Sequence, residues 1–183
     1  MNHPWHDIDP GDPSVPIAFV EIPRGTKTKY ELDKQSGLML VNRVLFSSFV
    51  YPFNYGFVPQ TLSKDDDPVD CFVMGEELLP MTLVQIRPVG MLQMTDEGQT
   101  DDKILAVPCG DPRFEPVRDL SDVAPHYLRE IEHFLSHYKD LEDKRTVIAD
   151  WVGGDAAVKE VRQSMESYCQ EVRNGRWARY LSP

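Results

Sequence analysis

The chain has 183 residues, 41% hydrophobic and 27% charged, with 30 acidic against 19 basic side chains and a formal net charge of −11. That length suits one domain with a proper hydrophobic core. The acidic balance argues against a nucleic-acid partner, whose binders need a basic face to displace counterions, and no run approaches the roughly 20 apolar residues of a membrane-spanning helix.

Residues 1–7 lack the basic start and apolar run of a secretory signal. Cys71, Cys109 and Cys169 are an odd number, each among apolar neighbours, and read as reduced core cysteines. Both features make the cytoplasm the expected location. Residues 1–16, rich in Pro, Asp and Gly, read as an extended arm. From 17 to 109 the pattern is β: strands are predicted at 17–22, 29–33, 38–45, 54–58, 70–74, 82–86, 89–94 and 103–107. Lys34-Gln35-Ser36-Gly37 is a hairpin turn, with Gly37 free to take positive φ. Many short strands at this spacing predict a closed or strongly curved barrel.

After Pro116 the period becomes helical, and residues 117–173 are expected to be helical. Leu128, Ile131, Phe134, Leu135, Tyr138 and Leu141 share one face, with Ser121 or Asp122 as N-cap. A second helix is predicted from about Asp155 to Val172, divided from the first by Gly153-Gly154, and 174–183 form a basic, aromatic tail. Strands first and helices later is an α+β order within a single domain, 1–183.

Four aspartates fall within six positions in Asp65-Asp66-Asp67-Pro68-Val69-Asp70. Pro68 pushes Asp67 toward an extended conformation, where Asp65 and Asp67 point to one side, and a bend at the Pro returns Asp70 to them. Carboxylates about 6 Å apart repel by roughly 3 kcal/mol per pair at an effective dielectric near 20. The group is therefore either a solvated acidic turn or a holder of cations. Asp70 opens the apolar strand Cys71-Phe72-Val73-Met74, which anchors it on rigid structure and favours cations. A second acidic group, Asp96-Glu97 with Asp101-Asp102, reads either as a polar hairpin loop or as the facing half of an oxygen-only site suited to Mg²⁺ or Mn²⁺. Basic and hydroxyl groups alternate with acids earlier, at Glu21, Lys29, Glu31, Arg43, Tyr51 and Tyr55. Arg43 interrupts an apolar run, and an Arg on a buried strand generally has an anion or a fixed carboxylate as partner. Lys139 reads as a helix lysine, solvated or turned to a phosphate.

Taken together, these segments resemble the family I soluble inorganic pyrophosphatases of the short, bacterial type. The resemblance rests on Glu21-Ile22-Pro23, Lys29-Tyr30-Glu31, Tyr51-Pro52-Phe53-Asn54-Tyr55-Gly56, Asp65 to Asp70, Arg87-Pro88-Val89-Gly90, Met94-Thr95-Asp96 and His137-Tyr138-Lys139-Asp140-Leu141-Glu142, in the family's order over about 17–170. It implies a five-stranded OB-like barrel with additional hairpins, two helices outside, and hydrolysis of pyrophosphate to two phosphates. The water would be activated by several Mg²⁺ ions (Mn²⁺ or another divalent ion being possible), with no covalent intermediate. By the same resemblance Asp65, Asp70 and Asp101 hold the principal metals, Asp96 and Glu31 assist, and Asp67 helps activate the water. Lys29, Arg43, Tyr55, Lys103, Tyr138 and Lys139 hold phosphate oxygens, Glu21 and Tyr51 support, and the assembly is a homohexamer. Asp66, Asp102 and the tail after Asn174 depart from the family pattern. A non-catalytic barrel that binds Ca²⁺ or a nucleotide stays open as the alternative.

Overall fold

The computed structural model describes residues 3–142 and 144–177. Its strands are β1 (Ile17–Ile22), β2 (Thr28–Leu32), β3 (Met39–Val44), β4 (Asn54–Phe57), β5 (Asp70–Val73), β6 (Leu83–Asp96), β7 (Gln99–Thr100), β8 (Lys103–Pro108) and β9 (Thr146–Gly153). β1 pairs with β4, β4 with β5, β5 with β8 and β8 with β6, and β6 returns to β1. Five strands thus close into an OB-like barrel, which removes the open edges a flat sheet would expose. The β5–β8 pairing is parallel, and the other pairings of the ring are antiparallel. β2 and β3 form a separate hairpin, while β7 and β9 extend β6. Helix α1 (Pro125–His137) packs on β9, and α2 (Gly154–Arg173) packs on β6 and β9. The α+β class and the two outer helices are those expected.

The barrel strands are apolar on both faces. Phe72, Leu105 and Val107 join Ile131, Phe134 and Leu135 of α1 in one core. The alternate residues Cys71, Val73, Ile104 and Ala106 join Ala157 and Val161 of α2 in another. Burial on both faces is why these strands read as continuous apolar runs rather than alternations. Asn54 is wholly buried and fully used: Nδ2 donates to the carbonyls of Val73 (3.2 Å) and Glu76 (2.8 Å), and Oδ1 accepts from the N–H groups of Arg24 (3.1 Å) and Leu78 (2.8 Å). That one amide ties β4 to β5 and to the loops beyond both β1 and β5, so a polar side chain sits in the core without a desolvation penalty.

Several expectations differ from the structure. The sequence divides 82–86 from 89–94, but β6 runs through Pro88, where the register against β8 shifts between Pro88 and Gly90; a bulge absorbs the residue that cannot donate to the ladder. The stretch 117–173 is not wholly helical, because β9 lies inside it and pairs antiparallel with β6. α1 starts at Pro125, whose fixed φ suits the first helical turn. Ser121 and Asp122 belong instead to a 3-10 turn, where the Asp122 carboxylate accepts from the N–H groups of Arg118 (2.9 Å) and Asp119 (3.0 Å). Leu141 falls beyond the helix and is exposed.

The expected extended arm is turned at residues 4–7 and buried at His3, Trp5 and His6, because Trp5 packs with Tyr168 and Trp177 into a third core. The tail expected at 174–183 is described as far as Trp177, which lies in that core, and residues 178–183 lie outside the described residues. All three cysteines are free, but only Cys71 is a core residue; Cys109 and Cys169 are exposed. No helix among the described residues is long and apolar enough to cross a membrane.

Candidate active site

Register does most of the assembly. β5 and β8 run parallel with Cys71 opposite Ile104, so Asp70 and Lys103 begin adjacent strands side by side. Lys103 Nζ donates to Asp70 Oδ2 (2.5 Å) and to Asp101, which lies two residues upstream of it. Tyr55, from the neighbouring strand β4, donates its hydroxyl to the same Asp70 oxygen at 2.6 Å. At the far end of β6, Glu97 and Gly98 take φ of 48° and 88°, the pair of positive angles a type I′ turn requires. That turn leaves Asp96 beside the segment after α1, where Lys139 pairs with it.

The acidic segment before β5 is turned rather than extended. Asp66 has φ 69°, Ser63 N–H donates to the Asp67 carbonyl (2.7 Å), and Asp67 N–H donates to Asp65 Oδ1 (3.2 Å). The bend expected at Pro68 thus occurs at Asp66, whose short polar side chain tolerates the left-handed region. On the opposite wall β2 presents Lys29 and Glu31, paired at 2.6 Å, and Glu21 of β1 accepts the Leu32 N–H at 2.7 Å.

These groups line one cleft of about 470 Å³, which includes Glu21, Lys29, Glu31, Tyr51, Tyr55, Asp65, Asp67, Asp70, Asp96, Asp101, Lys103, Tyr138 and Lys139. Of the residues expected to form a site, Arg43 alone is not among the lining residues. The sequence reads its strand as buried, yet β3 is largely exposed, with Leu40, Val41 and Val44 more than half exposed. Arg43 instead bonds Glu142 through Nε at 3.0 Å, while its Nη2 is buried without a hydrogen-bond partner among the described residues. Glu97, part of the second acidic group, also lines the cleft, as do Lys34 and Trp5, neither of which the sequence marks as a site residue. Lys34 sits in the predicted hairpin turn, and Trp5 comes from the supposed arm. Glu142 closes the quoted His137 to Glu142 segment, but nothing local marks it as the partner of a residue 99 positions away. Asp102 does not line the cleft and accepts the Met94 N–H at 3.0 Å, which is a structural use of that departure.

The cleft lining carries eight carboxylates and four ammonium groups, so the site is short of positive charge. Burial first, and then Asp70, pushes the Glu21 carboxyl up to about 8. Burial likewise lifts Asp101 to about 6 against the pull of Lys103. Asp65 is raised by burial and by Asp70. Burial opposes the charge on Lys103, but Asp70 and Asp101 prevail and hold its pKa above the ordinary lysine value. The Tyr55 hydroxyl is kept protonated by burial and by Asp70.

The residues fit hard divalent cations by three observations. The donors are all oxygens, the carboxylates outnumber their cationic partners, and Asp96 Oδ1 is buried with no hydrogen-bond partner among the described residues. Among the described residues no three acidic, His or Cys side chains yet converge as a ready metal cage, and the Lys103 ammonium stands between Asp70 and Asp101. A divalent cation would supply the positive charge the lining lacks.

A carboxyl whose pKa rises on folding destabilises the folded state increasingly as pH climbs from its unfolded value near 4 to its folded one. Glu21 and Asp101 set that window between about pH 4 and 8. The metal-free protein is therefore expected to lose thermal stability on going from about pH 5 to pH 8, and Mg²⁺, by binding only the folded cluster, to restore it most at the upper end. Calorimetry with chelator and with Mg²⁺ at both pH values measures this; a Tm indifferent to Mg²⁺ at pH 8 contradicts it.

Residues 18–169 match the family model described as inorganic pyrophosphatase. A protein named soluble inorganic pyrophosphatase 2 from Chlamydomonas reinhardtii is 47% identical over 170 residues, which cover 91% of this chain and 88% of that one. Soluble inorganic pyrophosphatase 1 from Arabidopsis thaliana is 44% identical over 173 residues, covering 93% and 82%. Among solved structures, the inorganic pyrophosphatase from Thermus thermophilus superposes with a TM-score of 0.87 at 37% identity, covering 92% of this chain and 99% of the other. The Helicobacter pylori enzyme gives 0.83 at 38% identity, with 86% and 95% covered.

Proposed function

The chain belongs to the inorganic pyrophosphatase family, an inorganic diphosphatase, and from that premise we propose that it hydrolyses pyrophosphate by direct attack of a water activated by several Mg²⁺ ions. The observation that carries the reading is the Asp70–Lys103–Asp101 group, an acidic strand end held open around one buried ammonium. Asp65, Asp70 and Asp101 would hold the principal ions, with Asp96 and Glu31 assisting. Mg²⁺ or a similar divalent cation, when bound, offsets the charge of pyrophosphate and lowers the pKa of a water.

The rest falls to the chain's own groups. Asp67 borders the cleft on a turn fixed by its own backbone bonds, placed to orient the attacking water and take its proton. Lys29, Lys103 and Lys139 supply positive charge to phosphate oxygens, and the hydroxyls of Tyr55 and Tyr138 stay protonated donors. Arg43 has an Nη2 with no partner among the described residues to offer a phosphate, while Glu142 fixes the plane of its guanidinium. Glu21 and Tyr51 support these groups from within the lining. No Ser, Thr, Cys or His lines the cleft, the Tyr55 and Tyr138 hydroxyls stay protonated, and the lining carboxylates are assigned to cations and to the water, which makes direct attack by water the simpler reading.

A cytoplasmic location and a homohexameric assembly are part of the same proposal. The exposed apolar side chains of Leu40, Val41, Val44 and Phe46 support association of copies. Phosphate release from pyrophosphate and from nucleotides, with Mg²⁺, with Ca²⁺ and with chelator, tests the reading. Rapid release from pyrophosphate with Mg²⁺ alone is expected. Binding of Ca²⁺ or nucleotide without phosphate release would favour the non-catalytic barrel.

A further inference from the structure

Residues 5–6 and 176–177 meet beside the acidic turn. The Trp177 ring lies 4.7 Å from that of Tyr168, stacked at 18°, and 5.3 Å from that of Trp5. His6 Nδ1 and the Tyr168 hydroxyl are 2.8 Å apart. This aromatic cluster is bonded to the segment that leads into the acidic turn. Trp5 Nε1 donates to the Thr61 carbonyl (2.9 Å), and Gln60 N–H donates to the Trp5 carbonyl (2.8 Å). Thr61 Oγ1 in turn accepts the Val69 N–H at 2.9 Å, which joins the two ends of the segment that carries Asp65, Asp66 and Asp67.

Two cations stand on this cluster. Lys34 Nζ is 5.8 Å from the centre of the Trp5 ring, and the Arg176 guanidinium is 5.1 Å from that of Trp177. Each reaches a different carboxylate of the same turn: Lys34 pairs with Asp67, and Arg176 Nη1 donates to Asp66 Oδ1 at 3.1 Å. Arg176 is itself steadied, its backbone N–H donating to the Glu171 carbonyl (3.1 Å) and its side chain lying 3.5 Å from the Glu171 carboxylate. The residue held from the tail, Asp66, has the left-handed backbone that a non-glycine residue resists.

We propose that Lys34 and Arg176 are positioning residues, which stand on an aromatic pedestal built from Trp5, Tyr168 and Trp177 and fix the acidic turn in the conformation that presents Asp65 and Asp67 to the cleft. A lone exposed ion pair contributes little because two long side chains must be ordered to make it. Here indole faces brace both cations in advance, and they act on two consecutive residues, Asp66 and Asp67, so their effects fall on one local equilibrium. The inference rests on the pyrophosphatase reading only where activity is measured.

The test uses Lys34→Ala, Arg176→Ala and the double variant in the full chain, with thermal melts to verify folding; both side chains are partly exposed, at 54% and 35%. In the metal-free protein, hydrogen exchange at the amides of 63–67 is expected to quicken about tenfold in the double variant. With Mg²⁺ and pyrophosphate, the Mg²⁺ concentration for half-maximal rate is expected to rise by about the same factor, exceeding any fall in kcat. Asp66→Asn keeps a side chain that tolerates the left-handed backbone and removes only the charge, so it should quicken exchange, and Arg176→Ala should add little to it. Unchanged exchange in a folded Lys34→Ala/Arg176→Ala variant, or full additivity of Asp66→Asn with Arg176→Ala, overturns the proposal. A fall in kcat with exchange intact also overturns it, by placing Lys34 directly on substrate. Absence of activity in the unaltered protein would defeat the functional reading and leave the exchange result to decide this one.

Discussion

Asp70→Asn is expected to lower kcat for pyrophosphate about a hundred- to a thousandfold, to raise the Mg²⁺ requirement, and to leave the fold in place. The change keeps the side chain's shape, so Oδ1 can still accept from Lys103 and Tyr55, which both bond Asp70 Oδ2. What disappears is the charge. Asp70 raises the pKa of Glu21, Asp65 and Asp101, and it is one of two carboxylates that balance Lys103. Without it the cluster attracts cations less, and the Lys103 ammonium is left beside a single carboxylate. Steady-state phosphate release across a Mg²⁺ titration, with a thermal melt as control, measures the effect. Wild-type kinetics at every Mg²⁺ concentration would remove Asp70 from the metal set.

Gly56→Ala is expected to destabilise the protein by about 4 kcal/mol or more, enough to prevent accumulation of a folded chain. Gly56 lies on β4 opposite Val20 of β1, and a Cβ there would sit 1.9 Å from the Phe19 carbonyl oxygen and 2.9 Å from the Val20 Cα. Both obstacles are backbone in the barrel wall, where no rotamer change gives relief, so the β1–β4 pairing must separate. The same shift would displace Tyr55 from Asp70. Denaturant or thermal unfolding of the purified variant checks this; a melting curve within a few degrees of the parent would show that the two strands do not approach so closely in solution.

Much of the fold is legible because the barrel strands carry their own signal. Asp70 to Val73 and Lys103 to Val107 are apolar on both faces, and Gly37 takes the positive φ, 71°, that its place in a turn implies. β9 was not legible. Its alternation is weak, with Asp150 and Gly153 among eight residues, and it becomes a strand by pairing with β6, some 50 positions earlier in the chain. The same holds for residues 3–6, whose composition suggests an arm but whose burial depends on Tyr168 and Trp177.

By itself the sequence determined which chemistry is available: oxygen donors concentrated at Asp65, Asp67 and Asp70 and again at Asp96 and Asp101, with lysines and tyrosines spaced among them. Composition and local pattern suffice for that, since charge and donor type belong to the residues. Which cation meets which anion was decided only in three dimensions. Parallel pairing of β5 and β8 puts Lys103 against Asp70, and the turn after α1 brings Lys139 to Asp96. Arg43, which lies outside the cleft lining, finds Glu142 99 positions away, and the meeting of residues 5–6 with 176–177 gives Asp66 its Arg176. Such contacts depend on strand register and on long-range burial of aromatic side chains, which no window of sequence contains.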